Sequence, residues 1–370
     1  MGFFRDLVGL SPKVQIQAQL SPSVMGDPFS YYTPFTAFTI DRAEAITVPS
    51  VQQARNIICG IISGMELSTY QKATGEEISN LPWVNQLTKN APNNVTLAWI
   101  VDSLIWYSVA YLRITEIYQD DNRAARFEYI SNSRVTVELN KDNTYVDKYF
   151  VDGKEVPNSG IGSLVTIQLG KDSLLTSGAR ILKAAVDLEK AAAVAAATPV
   201  PSGILKNNGA DMGEKEVAGL LSAWRKARES RSTAYLTSAL EYQPTAFSPK
   251  DMMYTDALQN MSAQIARLFN IDAFYLNCDM NNSMVYQNIL DNRRQLVSFT
   301  LAPYIQAVEK RFSMDDLSPI TQEIRFDIDS GFLRSDPMER LAVIEKMLQL
   351  ELITVQQARE MEELSPNGNN

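Results

Sequence analysis

The sequence predicts an α+β fold. Through the middle of the chain, apolar and polar residues alternate between turns rich in Asp, Asn and Gly, the mark of antiparallel strands. On either side of that region, apolar residues recur at helical spacing. With 370 residues, 45% hydrophobic and 21% charged, the chain has globular composition and room for two or three packing units.

The elements follow in order. Residues 1–47 hold Pro12, Pro22, Pro28 and Pro34 among Phe29, Tyr31, Tyr32, Phe35 and Phe38. Prolines at that spacing forbid a long helix, and the aromatics argue against a plain disordered tail. The segment is expected to be an extended arm that packs on something, a neighbouring subunit included. Residues 51–65 set Val51, Ala54, Ile58, Ile61, Ile62 and Met65 on one helical face. LSTYQK then reads as a strand with ATGEE as its turn, and 81–89 as a short helix. Asn93 or Asn94 is expected to cap a helix through Trp106. AYLRITEIYQ, AARFEYIS, RVTVELN, DKYFVDGKEV and LVTIQL supply the antiparallel strands, with an Asp-Gly turn inside DGKEV.

Residues 176–197 predict one helix whose alanine-dominated second half allows close backbone packing. Pro199 and Pro201 end it, and PSGILK reads as a short strand. Residues 214–231 form a charged amphipathic helix with Val217, Leu220, Leu221 and Trp224 on its apolar side. TAYLTSALEYQPTAF supplies one or two strands. Ser248 and Pro249 start a helix that runs to about Phe269. A second long helix covers 283–312, where Pro303 predicts a kink or break. ITQEIRFDID is a strand, Asp336-Pro337 starts a helix through Leu350, and Thr354 caps a last one, VQQAREMEEL.

Composition excludes much chemistry. The chain has no histidine, which rules out Ser-His-Asp and Cys-His catalysis in their usual forms and removes the commonest transition-metal ligand. Its two cysteines cannot close a zinc site or staple a fold, so Cys59 and Cys278 read as reduced thiols. Phosphate-cradling Gly motifs are absent. A net charge of −9 argues against tight binding of nucleic acid, whose affinity comes from Lys and Arg neutralising phosphates; a weak, passing contact stays open. The N-terminus lacks a signal-peptide pattern, and Asp6 occupies the Ser/Thr position of a myristoylation signal, so a cytoplasmic protein is expected. The most membrane-like run, 96–112, is short for a span and carries Asp102, and reads as a buried helix entering a strand.

Against that background stands NIDAFYLNCDMNNSMVYQN, residues 270–288, between two helical patterns. Cys278 lacks a His partner, and Asp279 beside it disfavours a thiolate, so it reads as an unreactive loop cysteine. Cys59 reads as core. Asp327 and Asp329 share one face of a strand, where two carboxylates suit Mg²⁺ or simply a solvated face. Arg180, Lys183 and Lys190 on one helix, with Lys250 and Arg267 at the ends of another, read as solvated charges that a ring would repeat around a channel.

The order of these parts resembles the portal proteins of tailed double-stranded DNA bacteriophages and related prophages. The likeness is carried by VQQARNIICGIISGMELSTYQ and by WIVDSLIWYSVAYLRI. It is carried further by VPSGILK with the Trp224 helix, by LEYQPTAFSPKDMMYTDALQNMSAQIARLFNID and by LELITVQQAREMEELSP. The family usually has Gly-Asn-Ala-Tyr where this chain has Ser108-Val109-Ala110-Tyr111, and a proline where FNIDAF stands.

The resemblance implies a portal fold: a β-rich wing, long stem helices, a small α/β clip and a helical C-terminal crown, closed as a ring of about twelve copies by heterologous contacts. The parts map as arm 1–47, wing 48–175, first stem helix 176–198, clip 199–247 and second stem helix 248–269. A tunnel loop at 270–284, a long kinked helix and wing strand at 285–334, and crown helices with a frayed tail at 335–370 complete the chain.

The implied function is a head–tail connector at one capsid vertex, a non-enzymatic conduit for DNA packaging and ejection without a cofactor. Its implied partners are the major capsid protein, the large terminase, a connector or adaptor protein and passing double-stranded DNA, with no membrane. It would be assembled in the host cytoplasm and reside in the virion. Asn277, Cys278, Asp279, Met280, Asn281, Asn282 and Ser283 would line the channel, with Lys183, Lys190, Lys250 and Arg267 on the stem facing it. Lys206, Asn207, Asn208, Trp224, Arg225, Lys226 and Arg228 would dock the motor or adaptor. The rival readings are a carboxylate and Mg²⁺ nuclease at Asp327 and Asp329, and a ring scaffold that handles no DNA.

Overall fold

The computed structural model describes residues 15–17, 40–78, 81–140, 146–197, 203–229, 238–244, 254–278, 289–328 and 337–362. Of the expected extended arm, Gln15–Gln17 (β1) is a strand. The arm's end is not extended. Arg42–Ala45 (α1) is a four-residue helix because Asp41 caps it, accepting the Glu44 N–H at 2.6 Å.

Pro49–Ser63 (α2) buries Val51, Ala54, Ile58, Cys59 and Ile62, the stripe that the spacing predicts apart from half-buried Ile61. Leu67–Gln71 (β2) is the expected strand, and it pairs antiparallel with Glu77–Ile78 (β3), which begins at the last residue of the expected turn. The short helix expected over 81–89 is only Pro82–Asn85 (α3). Asn93 is the reason. It is no cap, since Pro92 holds that position; instead its side chain donates to Val84 O at 2.6 Å and accepts the Leu87 N–H at 2.9 Å. Those bonds satisfy backbone groups that a longer helix would otherwise pair.

Asn93–Tyr107 (α4) is the membrane-like run. It is apolar nearly all round because it packs against α2 and against the strands after it, with Leu97, Ile100, Val101, Leu104, Ile105 and Trp106 buried. Among the described residues, no helix is long and apolar enough to cross a membrane.

Val109–Ile117 (β4) is hydrogen-bonded antiparallel to Ala124–Ile130 (β5) on one side and to Leu164–Gln168 (β9) on the other. Val135–Leu139 (β6), Val146–Val151 (β7) and Lys154–Glu155 (β8) form a meander, closed between its last two strands by Asp152 and Gly153 at φ +50° and +76°. β1 adds to the free edge of β6 with Ile16 opposite Val137. Val109, Tyr111, Ile130, Val135, Val137 and Val151 make a small core between these two sheets.

The helix expected over 176–197 is broken. Leu174–Ser177 (α5) stops at Gly178, and Ala179–Ala197 (α6) starts beside it. A Cβ on Gly178 would lie 2.7 Å from Leu268 Cδ2 and 2.8 Å from Leu174 O, so only glycine lets the two helices approach here.

Gly203–Asn207 (β10) and Leu240–Pro244 (β11) pair with each other, flanking Glu214–Glu229 (α7). Of the one or two strands expected around 233–247, β11 is the described one. Tyr254–Phe269 (α8) packs along α6 and α2; its expected start at Ser248 lies outside the described residues.

The long helix expected over 283–312 is described from Ile289, and its α-helical pattern is interrupted just before Pro303, where a kink or break is expected. Ile289–Gln295 (α9) runs into a π-helical turn, Leu296–Leu301, where the Ala302 N–H reaches back five residues to Val297 O. Ala302–Phe312 (α10) comes next with Pro303 in its first turn, where a missing N–H costs nothing. Gln322–Phe326 (β12) returns to pair with β2. Phe312 completes an aromatic cluster with Trp83 at 5.4 Å and Phe127 at 6.4 Å, which ties α10 to α3 and β5. Pro337–Gln349 (α11) and Val355–Met361 (α12) end the described chain. Thr354 caps α12 as expected: its hydroxyl accepts the Gln357 N–H while the Gln357 side chain accepts the Thr354 N–H.

Candidate functional site

The stretch that the sequence marks as a loop divides at Cys278. Asp279, Met280, Asn281, Asn282 and Ser283 lie outside the described residues. Residues 270–278 form a bonded root. Asn270 takes φ +54°, the left-handed region. Its N–H donates to Arg267 O at 3.1 Å, and that of Ile271 donates to Ala266 O at 2.9 Å. This pair of bonds closes a helix whose next residue is left-handed, and Ile271 and Ala266 are both buried beneath it.

Ala273–Leu276 then makes a 3₁₀ turn, capped by the Asp272 carboxylate accepting the Phe274 N–H at 2.9 Å and ended by Asn277 at φ +54°. Two glutamines hold the turn from outside. Gln53 of α2 donates to Tyr275 O at 2.8 Å, and Gln259 of α8 donates to Cys278 O at 3.3 Å. The Cys278 thiol turns back to donate to Ala273 O at 3.2 Å. Asn277 and Cys278 therefore belong to the root.

Across from the root lies the kinked helix. Asn270 Nδ2 donates to Phe299 O at 2.6 Å, and the Thr300 hydroxyl donates to Asn270 O. Between the two limbs is an open cleft of about 320 Å³ whose lining includes Arg267, Asp272, Asn292, Gln295 and Phe299.

The stem candidates are placed unevenly. Lys250 lies outside the described residues. Arg267 is exposed on the last turn of α8. Lys183 and Lys190, one side of α6, both reach Glu44 of α1, at 2.9 and 3.1 Å. Hydrogen bonds from these two ammonium groups hold the Glu44 carboxyl below its usual range, and the Glu44 bond raises Lys183. The other end of α1 is tied as firmly. Arg42 Nε and Arg55 Nε meet the largely buried Asp102 at 2.8 and 2.7 Å, and Trp106 Nε1 donates to the same carboxylate at 3.1 Å. Sequence reading took Asp102 only as a mark against a membrane span. An acid inside an apolar helix is the signal that should have prompted a search for its cation.

The docking candidates lie on the β10–α7–β11 unit. Lys206 is exposed on β10 opposite Glu241. Asn207 is used internally, donating to Ala210 O and accepting the Gly209 N–H. Asn208 donates to Glu241 at 3.4 Å. Trp224 rests against Tyr242 with ring centroids 5.4 Å apart. Arg225 and Lys226 are exposed on α7, which also carries Arg228.

Cys59 is buried in α2, where desolvation pushes its thiol up to about 12. Asp327 donates its backbone N–H to Glu66 O; Asp329 lies outside the described residues. Among the described residues, no three Asp, Glu or Cys side chains converge as a metal site requires.

Comparison with known proteins adds three findings. A family model described as "Phage portal protein" matches residues 49–363. A "Probable portal protein" of Streptomyces phage phiC31 is 22% identical over 162 residues, which span 42% of this chain and 35% of that relative's length. Among solved structures, an HK97 family phage portal protein from Corynebacterium diphtheriae superposes with a TM-score of 0.63 at 20% identity, over 78% of this chain and 95% of that one. A chain in the neck of a native gene transfer agent particle, computed with C12 symmetry, gives 0.51 at 16% identity, over 87% and 92%.

Proposed function

Since the chain belongs to the phage portal protein family, we propose that it is one subunit of a ring of about twelve copies at a capsid vertex, through which double-stranded DNA is packaged and later ejected. In this reading the sheets built on α2, α4 and β2–β9, with β12, are the wing. The packed helices α6 and α8 are the stem, β10–α7–β11 is the clip, and α11 with α12 is the crown. The clip presents Lys206, Arg225 and Lys226 to the large terminase and afterwards to a connector protein, while the wing meets the major capsid protein.

The observation that carries the reading is the root at 270–278. Two glutamines, a helix cap and a clasp to the kinked helix fix the point from which residues 279–288 depart. A loop that touches moving DNA needs such an anchor. Asn281, Asn282 and Ser283 can hydrogen-bond phosphates without the charge that would hold them, and a chain of net charge −9 adds no general grip. Arg267, exposed at the cleft beside that departure point, is the stem cation best placed to meet DNA.

The nuclease alternative gains no support, because among the described residues no three Asp, Glu or Cys side chains converge as a metal site requires. Negative-stain images of the purified chain should show rings of about twelvefold symmetry with a central hole. Particles carrying a chain that lacks 279–288 should package or retain less DNA. Monomers alone, or full retention without the loop, would refute the reading.

A further inference from the structure

We propose that Asn270 and Thr300 form a clasp that sets the spacing between the two limbs from which residues 279–288 are strung, which makes them positioning residues for that loop. The inference rests on the loop reading above.

The argument begins with residue choice. The position after α8 is left-handed at φ +54°. Glycine is the usual residue there because it lacks a Cβ, while Asn tolerates the conformation at some cost. The capping bonds at 270 and 271 come from backbone N–H groups that glycine would supply equally. What Asn adds is the side-chain amide, and that amide donates to Phe299 O at 2.6 Å, 29 residues onward.

The acceptor is equally particular. Phe299 lies in the π turn Leu296–Leu301, and Pro303, four residues on, has no N–H to engage its carbonyl in an α-helical bond. The buried Thr300, next in that turn, returns a bond to the Asn270 carbonyl. Two bonds of opposite sense thus join one strained residue to one irregular turn. These are the left-handed residue that closes α8 and the π turn of the facing limb, and backbone irregularities of this kind persist where the surroundings over-determine them. The Asp272 cap and the Gln53 bond act on the turn beyond, while the clasp is a direct hydrogen-bonded tie between the end of α8 and the helix across the cleft.

Substitutions separate the clasp from the cap. Asn270→Gly keeps the left-handed cap and loses the amide. Asn270→Asp keeps the shape but aims a carboxylate at the Phe299 carbonyl. Thr300→Val removes the return bond alone. In assembled rings, amides of 296–301 should exchange with solvent about fivefold faster in Asn270→Gly and in Thr300→Val, the effect of losing one net hydrogen bond. Asn270→Asp should exceed both. Particles built with each variant should lose DNA retention in the same order. Ile265→Val, a buried change in α8 away from the clasp, serves as a control of lowered stability and should leave retention unchanged.

Unchanged exchange at 296–301 in the Gly and Val variants would overturn the clasp. Faster exchange with retention equal to wild type, or an equal loss in Ile265→Val, would overturn its positioning role. Full retention in the 279–288 deletion would instead overturn the loop reading, so the two failures are told apart.

Discussion

Ser108 turns the chain from α4 into β4 at φ +57°, with its N–H on Leu104 O at 3.1 Å and its hydroxyl buried without a hydrogen-bond partner among the described residues. A left-handed non-glycine residue costs about 1–2 kcal/mol, and an orphaned buried hydroxyl adds to that. Ser108→Gly relieves both but loosens the unfolded chain, so a net gain of about 1 kcal/mol is expected in urea unfolding. The resemblance had flagged this position, where it implied Gly; sequence alone offered no reason, because a φ angle is invisible in it. Glu44 makes the second residue-scale case. Its folded pKa lies below the unfolded value, so its stabilising contact is complete above the ordinary carboxylate range and fades as pH falls through the lowered folded value. Glu44→Gln should abolish that acid-side dependence, read by thermal melts across pH 2–6, about the range in which carboxylates titrate.

At the scale of elements, periodicity predicted the helices with apolar stripes well. α2 buries Val51, Ala54, Ile58 and Ile62 of the predicted face, and the interruption before Phe312 falls where Pro303 led one to be expected. The breaks were less legible because tertiary contacts make them. At Gly178 a Cβ would meet Leu268 of another helix as well as the local Leu174 O, and the first of these is invisible in the sequence. Gly178→Ala should therefore destabilise by about 1–3 kcal/mol, as overpacking does, and crystal structures of the variant should show α6 shifted away from α8. The truncated α3 has the same kind of cause, since Asn93 captures backbone groups from a neighbouring segment. In the loop root, the sequence showed polar residues between helices. It could not show that Gln53, more than two hundred residues earlier, holds Tyr275.

At the scale of the whole molecule, α1 links three parts of the chain. Arg42 joins it to Asp102 of α4, Asp102 also takes Arg55 of α2, and Glu44 holds α6. Asp102→Ala strands two arginines and leaves the buried Trp106 N–H without its acceptor, and should cost about 2–4 kcal/mol with an unchanged denaturant slope. The order of the elements and the likeness of a few stretches, VPSGILK and LEYQPTAFSPKDMMYTDALQNMSAQIARLFNID among them, were enough to suggest the family, whose model covers 49–363. The ionic clamp was out of reach because its partners lie 47 and 60 residues apart, and no periodicity links them.

The wide turn at Leu296–Leu301 is also a matter of arithmetic. Closing a bond over five residues instead of four leaves one surplus residue in the helix. Removing one residue there lets an ordinary α-turn take up the slack, so Tyr304, Ile305, Val308 and Phe312 keep their buried face. Removing one from Ala302–Phe312 rotates the remainder of that helix by about 100° and carries Phe312 out of its aromatic cluster. A scan of single-residue deletions through this helix, scored by thermal melts, should therefore find its tolerant window at 296–301. A deletion there spares the buried face of α10 but takes its residue from the turn that holds Phe299 and Thr300, so fold stability and the clasp to Asn270 part company at this turn.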